Sequence, residues 1–234
     1  MDTAALATRL HGKFMVLDGP DGAGKSTQRD RLATVLSAAG YDPVLCRDPG
    51  GTVIGDRIRS ELLHHDLSTM DVHCETLLFM ASRAQLVAEI IRPALAAGHT
   101  VLCDRFVTST CAYQGAAGFD PRSVIELARF AIGDCWPDAT IVVDVEPGQG
   151  FQRIGRKAHH AGRRRGREEG GATLFDGVRP DAMEARSLEF HRRVRELYLE
   201  APTYYPRPVV VVDGHAAADV VHQQILEALA RVLA

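Results

Sequence analysis

The chain reads as an α/β protein, a five-stranded parallel sheet with helices on both faces. Three observations predict this. Phe14-Met15-Val16-Leu17 is apolar at every position, as a strand buried on both faces must be. Four further short apolar runs alternate with helical patterns, which calls for parallel strands joined by right-handed crossovers. The runs end in or beside Asp18, Arg47, Asp104 and Asp144, at the carboxyl edge where such sheets gather ligands.

At 234 residues the chain has the length of a single domain, 1–234, with ample material for one core. The 27 Lys and Arg against 30 Asp and Glu leave a formal charge of −3, which argues against a broad polyanion-binding surface and hence against nucleic acid. The five cysteines are odd in number and form no C-x-x-C pair, so reduced core thiols are expected. No apolar run approaches the ~18 residues of a membrane span, and no secretory h-region opens the chain. A cytoplasmic protein without membrane contact is the expectation.

Residues 1–12 read as a short, mobile N-terminal extension. After the first strand, Gly19 to Ser26 fits the phosphate-loop pattern G-x-x-x-x-G-K-[ST]. Its glycines let successive N–H groups turn inward around phosphate oxygens. The loop feeds a helix N-terminus, where unpaired N–H groups and the dipole favour an anion. In this pattern Lys25 reaches the β- and γ-phosphates and the Ser26 hydroxyl ligates Mg²⁺. The candidate triphosphate site is therefore Gly19, Asp21, Gly22, Ala23, Gly24, Lys25, Ser26 and Thr27.

A helix is expected over Ser26–Ala39, with Leu32, Val35 and Leu36 on one face and Gly40 as its stop. Pro43–Cys46 is the second strand, RDPGGT (Arg47–Thr52) a turn, and Ile54–His64 a short helix. Asp71–Ala97 reads as one long helix with Leu77, Ala81, Ala84, Ala88 and Ile91 on one stripe, interrupted or kinked at Pro93. Thr100–Cys103 is the third strand. Asp104, Arg105, Phe106, Ser109, Tyr113, Gln114 and Gly115 follow as one exposed segment. Pro121–Ile132 is helical, and Ala139–Val143 is the fourth strand, with Asp144 a structural strand-end residue. A helix from Pro147 dissolves into HHAGRRRGREEGG. Asp181–Glu200 is helical with Met183, Phe190, Val194 and Leu197 inward, Val209–Val212 is the fifth strand, and Ala217–Leu233 is a closing helix. The pairs His64-His65 and His159-His160 lack a supporting cluster at ligand spacing and read as surface.

Arg47 and Arg105 stand at neighbouring strand ends. Two guanidiniums so placed suit bidentate recognition of a second phosphate, that of an acceptor; salt bridges to Asp48 and Asp104 are the alternative for each.

GPDGAGKSTQ, RDPGGT, LLFMASRAQ, DRFVTSTCAYQG and EFHRRVRELYLEA together resemble the thymidylate kinase family, in order and from about Phe14 to the C-terminus. The resemblance implies a P-loop fold of the nucleoside monophosphate kinase type. It also implies transfer of the γ-phosphoryl of ATP to dTMP with Mg²⁺, in a homodimer for which the long helix 71–97 could supply an apolar face. By resemblance, Lys25 and Ser26 hold the triphosphate and Mg²⁺, and Asp104 positions the metal through water. Asp21 meets the deoxyribose 3′-OH or assists on the acceptor side, and Arg47 and Arg105 grip the dTMP phosphate. Phe79 stacks on thymine, Arg83 bonds its O4, and Ser109, Thr110 and Gln114 line the base pocket. Tyr113 occupies the place a ribose 2′-OH would need.

One branch of the family carries an arginine after the loop acid, where this chain has Gly22. The other branch supplies arginines from a mobile lid. This chain fits the second, with a basic lid at about 153–180 and Arg153 and Arg156 as the catalytic candidates. The lid is longer and more basic than the family pattern. Asp181-Ala182-Met183-Glu184 lacks the usual arginine, and Asp48 replaces the usual Glu. Two other readings stand beside this one. The first is a kinase of another nucleoside monophosphate or of a deoxynucleoside; the second is a nucleotide-binding regulator without turnover.

Overall fold

The computed structural model describes residues 3–64, 70–155 and 186–233. All five strands are present and parallel: β1 (Phe14–Asp18), β2 (Val44–Arg47), β3 (Val101–Asp104), β4 (Ala139–Asp144) and β5 (Val209–Asp213), in the order β2-β3-β1-β4-β5. The central strand explains its own composition. Met15 and Leu17 face a core shared with α1 (Thr3–Leu10), α2 (Lys25–Ala38) and α10 (Ala218–Val232), while Phe14 and Val16 face the opposite core. That second core is closed by α4 (Val72–Leu86), a π turn (Val87–Ile91), α5 (Arg92–Ala96), α6 (Val107–Ala116) and α7 (Pro121–Ile132). A third cluster, with Leu62, Phe79, Tyr113, Val194 and Tyr198, joins α3 (Val53–His64) and α9 (Leu188–Glu200) above the strand ends. The remaining helix, α8 (Pro147–Arg153), follows β4.

The structure corrects three expectations. Residues 3–10 are a helix, not a mobile extension: Leu6, Ala7 and Leu10 are buried in the first core. The segment after Asp104 is not exposed. It is the helix α6, with Phe106, Thr110, Cys111, Tyr113 and Gln114 all buried. Pro93 interrupts the long helix, as expected, and the interruption takes the form of a π turn. Proline has no N–H to give the carbonyl four residues back, and the π turn just before it absorbs the missing bond. The stripe of Leu77, Ala81 and Ala88 faces outward, because the buried face of α4 carries Glu75, Thr76, Phe79, Met80, Ser82, Arg83 and Leu86. The helix expected over 181–200 is described from Leu188, capped by the Ser187 side chain. Arg156, most of the basic lid, His65, His159, His160 and Asp181–Glu184 lie outside the described residues.

Candidate active site

β1 delivers Asp18 to the carboxyl edge of the sheet, fully buried. Its carboxylate accepts from the Gly19 N–H (2.9 Å), Ser109 Oγ (2.6 Å), Tyr198 OH (2.7 Å) and the Thr108 hydroxyl. One buried acid thus ties the phosphate loop to α6 and α9. The loop then turns into α2, whose first residue is Lys25. Lys25 Nζ donates to the Pro20 carbonyl at 2.8 Å. Burial, and then the Arg105 guanidinium, bring its ammonium down to about 8 against the pull of Asp21, Asp104 and Asp18. Ser26 Oγ donates to Asp104 Oδ2 at 2.6 Å, so hydroxyl and carboxylate share one point at the end of β3.

Arg105 is the hinge of the acceptor side. It is the one non-glycine residue with positive φ (+69°) among the described residues, a conformation costly to an L side chain. From it the guanidinium donates to Gly19 O (3.1 Å), Tyr198 OH (3.1 Å) and Asp21 Oδ1 (2.5 Å). It also lies 5.2 Å over the Tyr113 ring. The Tyr113 hydroxyl donates to Asp21 Oδ2 at 2.9 Å. Burial pushes the Asp21 carboxyl up, but Arg105, Lys25, His191 and Tyr113 together outweigh it and hold Asp21 below the usual value. The loop acid is therefore an anion at neutral pH.

Arg83 of α4 is buried. Nε donates to Asp48 Oδ2 (2.5 Å) and Nη2 to Thr110 Oγ1 (2.9 Å) and the Phe106 carbonyl (3.2 Å). Burial raises the Asp48 carboxyl more than Arg83 lowers it. Asp144 accepts a two-pronged grip from Arg195, 2.7 and 2.8 Å, a structural role at the strand end.

Two clefts meet at the phosphate loop. Asp21, Phe79, Arg83, Arg105, Ser109, Thr110, Tyr113 and Gln114 line the first, together with Asp48 and Arg59. The second, of about 520 Å³, holds Gly22, Ala23, Gly24, Lys25, Ser26 and Thr27 with Arg153, Gly214 and Ala216; that volume suits a small-molecule site. Arg153 donates to the Gly214 (2.9 Å) and His215 (3.3 Å) carbonyls at its far wall. The loop rests on α8 by direct backbone contact. A Cβ on Gly22 would lie 2.0 Å from the Gly150 carbonyl oxygen, and one on Gly150 would lie 2.2 Å from the Asp21 carbonyl oxygen.

Arg47 stands apart from the first cleft. Its side chain is 55% exposed and lies 3.5 Å from Asp56 Oδ1, while Arg59 of α3 reaches the wall through the Pro49 carbonyl (2.9 Å). Sequence reasoning missed Arg59, Asp18 as a hub, and Tyr198. The tyrosine lies one turn after the inward Val194, so its place on the buried face was visible, but not the acid it would meet there.

The family described as Thymidylate kinase matches residues 17–225. Thymidylate kinase of Syntrophotalea carbinolica is 41% identical over 214 residues, 91% of this chain and 92% of that protein. Thymidylate kinase of Pelobacter propionicus is 38% identical over 216 residues, 92% of each chain. The crystal structure of thymidylate kinase from Ehrlichia chaffeensis superposes with a TM-score of 0.68 at 27% identity, covering 93% of this chain and 98% of that one.

Proposed function

The chain belongs to the thymidylate kinase family, and from that premise we propose how its residues move the γ-phosphoryl of ATP onto the 5′-phosphate of dTMP, giving dTDP and ADP. The observation that carries the proposal is the pair of clefts meeting at Asp21 and Gly22, a glycine-rich anion cradle on one side and a cation-lined wall on the other. In-line transfer needs two anionic groups held end to end and their charge neutralised. No strong base is needed, because the attacking oxygen already belongs to a phosphate.

On the donor side the N–H groups from Gly22 to Thr27 cradle the triphosphate, and Lys25 leaves the Pro20 carbonyl for the β- and γ-phosphates. The Ser26 hydroxyl and the Asp104 carboxylate form a hard-oxygen pair suited to Mg²⁺, and among the described residues no cluster of three His, Cys, Asp or Glu competes for it. When bound, Mg²⁺ neutralises phosphate charge during transfer. On the acceptor side Arg105 and Arg59 receive the dTMP phosphate, with Arg47 turning in from Asp56. Phe79 packs on the base, Arg83, Thr110 and Gln114 meet its edge, and Ser109 closes the floor. The Asp21 carboxylate accepts from the 3′-OH, and the Tyr113 ring fills the space of a 2′-OH. Arg153 and Arg156 supply the lid charge.

A homodimer through the outward face of α4 fits the exposure of Leu77 (56%), and α7, which packs on α4, exposes Phe130 at 94%. A cytoplasmic setting fits five free thiols, four of them buried. No helix among the described residues is long and apolar enough to cross a membrane.

Turnover with ATP on dTMP, dUMP, dCMP and thymidine tests the proposal. We expect ADP release that requires both ATP and dTMP. A preference for thymidine would sink the monophosphate reading, and binding of both nucleotides without turnover would make the protein a regulator.

A further inference from the structure

Glu75 lies on α4, one turn before Phe79, with 2% of its surface exposed. Its carboxylate is gripped by Arg186, whose Nη2 stands 3.0 and 2.9 Å from Oε1 and Oε2. The Arg186 guanidinium in turn covers the Phe190 ring at 4.6 Å. Oε1 accepts a further bond, 3.0 Å, from Nε2 of Gln114. A carboxylate paired with a guanidinium offers acceptors only, so the Gln114 amide has one workable orientation, NH₂ towards Glu75. Gln114 is fully buried and lines the acceptor cleft, and its Oε1 has no hydrogen-bond partner among the described residues.

We propose that Glu75 is a positioning residue which fixes the Gln114 amide and thereby sets the hydrogen-bond polarity of the base end of the acceptor cleft. It selects 4-keto pyrimidines, which present an N3–H donor, over 4-amino pyrimidines, which present an N3 acceptor. This rests on the acceptor cleft assigned above. Arg83 supplies the complementary half. Its Nε bonds Asp48, its Nη2 bonds Thr110 and Phe106, and among the described residues its Nη1 touches only the weak acceptor Met80 Sδ at 3.2 Å. That leaves an N–H for a carbonyl oxygen. Both residues line the cleft, so its wall offers one donor and one acceptor to match O4 and N3–H. A 4-amino pyrimidine reverses both. Turning the Gln114 amide to suit it would set an amide oxygen against the Glu75 carboxylate, two acceptors with no proton between them.

Glu75→Gln keeps the shape and gives Gln114 a partner in either orientation. We expect kcat/KM for dTMP relative to dCMP to fall roughly 10- to 100-fold, chiefly through KM, the scale of one buried hydrogen bond made or left unmade. The ratio of dTMP to dUMP should hold, because the two bases share the same edge. An unchanged dTMP-to-dCMP ratio, or an equal loss on all three acceptors, would overturn the proposal. Should Glu75→Gln fail to fold, NMR of the wild-type protein with labelled glutamine and bound dTMP decides. Contacts from the Gln114 amide protons to the Glu75 γ-protons are expected; contacts from those protons to the base would overturn it. A failure of the acceptor reading itself is separately visible, as absence of turnover on dTMP by the wild-type protein.

Discussion

Lys25 serves two opposed ends. Burial and Arg105 leave its ammonium near 8 rather than the ordinary 10.5, so the free protein gives up that proton before the unfolded chain does. Between those values the unfolded state holds the extra proton, and this group's contribution to stability rises with pH. A triphosphate needs the ammonium, so ATP binding should run the other way. Apparent affinity at pH 9 should be about tenfold weaker than at pH 7, where the group is charged. Calorimetric titration of ATP across that range checks it, and a flat profile would remove Lys25 from the triphosphate. Lys25→Ala should abolish turnover without lowering the melting temperature, since no buried partner loses its only bond. Arg105→Ala is different in kind. It strips the guanidinium from Asp21 and leaves Asp18 and Tyr198 one contact poorer, at a cost of about 3 kcal/mol for one lost partner of a largely buried pair. The dTMP KM should rise more than the ATP KM; an equal rise in both would take Arg105 out of the acceptor site. Residue identity was legible wherever a local pattern fixed the neighbours, as from Gly19 to Thr27. Asp18, Tyr198 and Glu75 were not, because their partners come from strands and helices far along the chain.

The elements divide in the same way. β1, β3 and β4 could be read because burial on both faces leaves an unbroken apolar run. The helix α1 could not, since eight residues hold barely two turns and too few apolar positions to show a period. Leu10 shows that it is structural: it is fully buried, and its carbonyl accepts from Thr100 Oγ1 at 2.8 Å. Leu10→Ala should cost about 2–4 kcal/mol by cavity formation, read as a shift in denaturant midpoint, where a mobile tail would give none. The helix α6 reads in the sequence as an exposed segment because its polar residues suggest solvent. Thr108 and Thr110 are instead satisfied by Asp18 and Arg83, and the NH₂ of Gln114 by Glu75, which is how polar groups enter a core.

At the scale of the whole molecule, parallel strands and helices on both faces followed from the alternation of apolar runs and helical patterns, but the strand order and the direction in which each helix presents its stripe did not. The outward Leu77 of α4 is the clearest case, and it yields a test. For the homodimer proposed above, Leu77→Arg should shift sedimentation equilibrium from dimer towards monomer with little change in unfolding; an unaltered mass would remove this face of α4 from the proposal. The backbone contact between Gly22 and Gly150 also ties the phosphate loop to α8. An arginine grafted after the loop acid would have to drive its own Cβ into the helix that carries Arg153. Any side chain at that position therefore requires α8 to move off the loop, drawing Arg153 away from the Gly214 and His215 carbonyls.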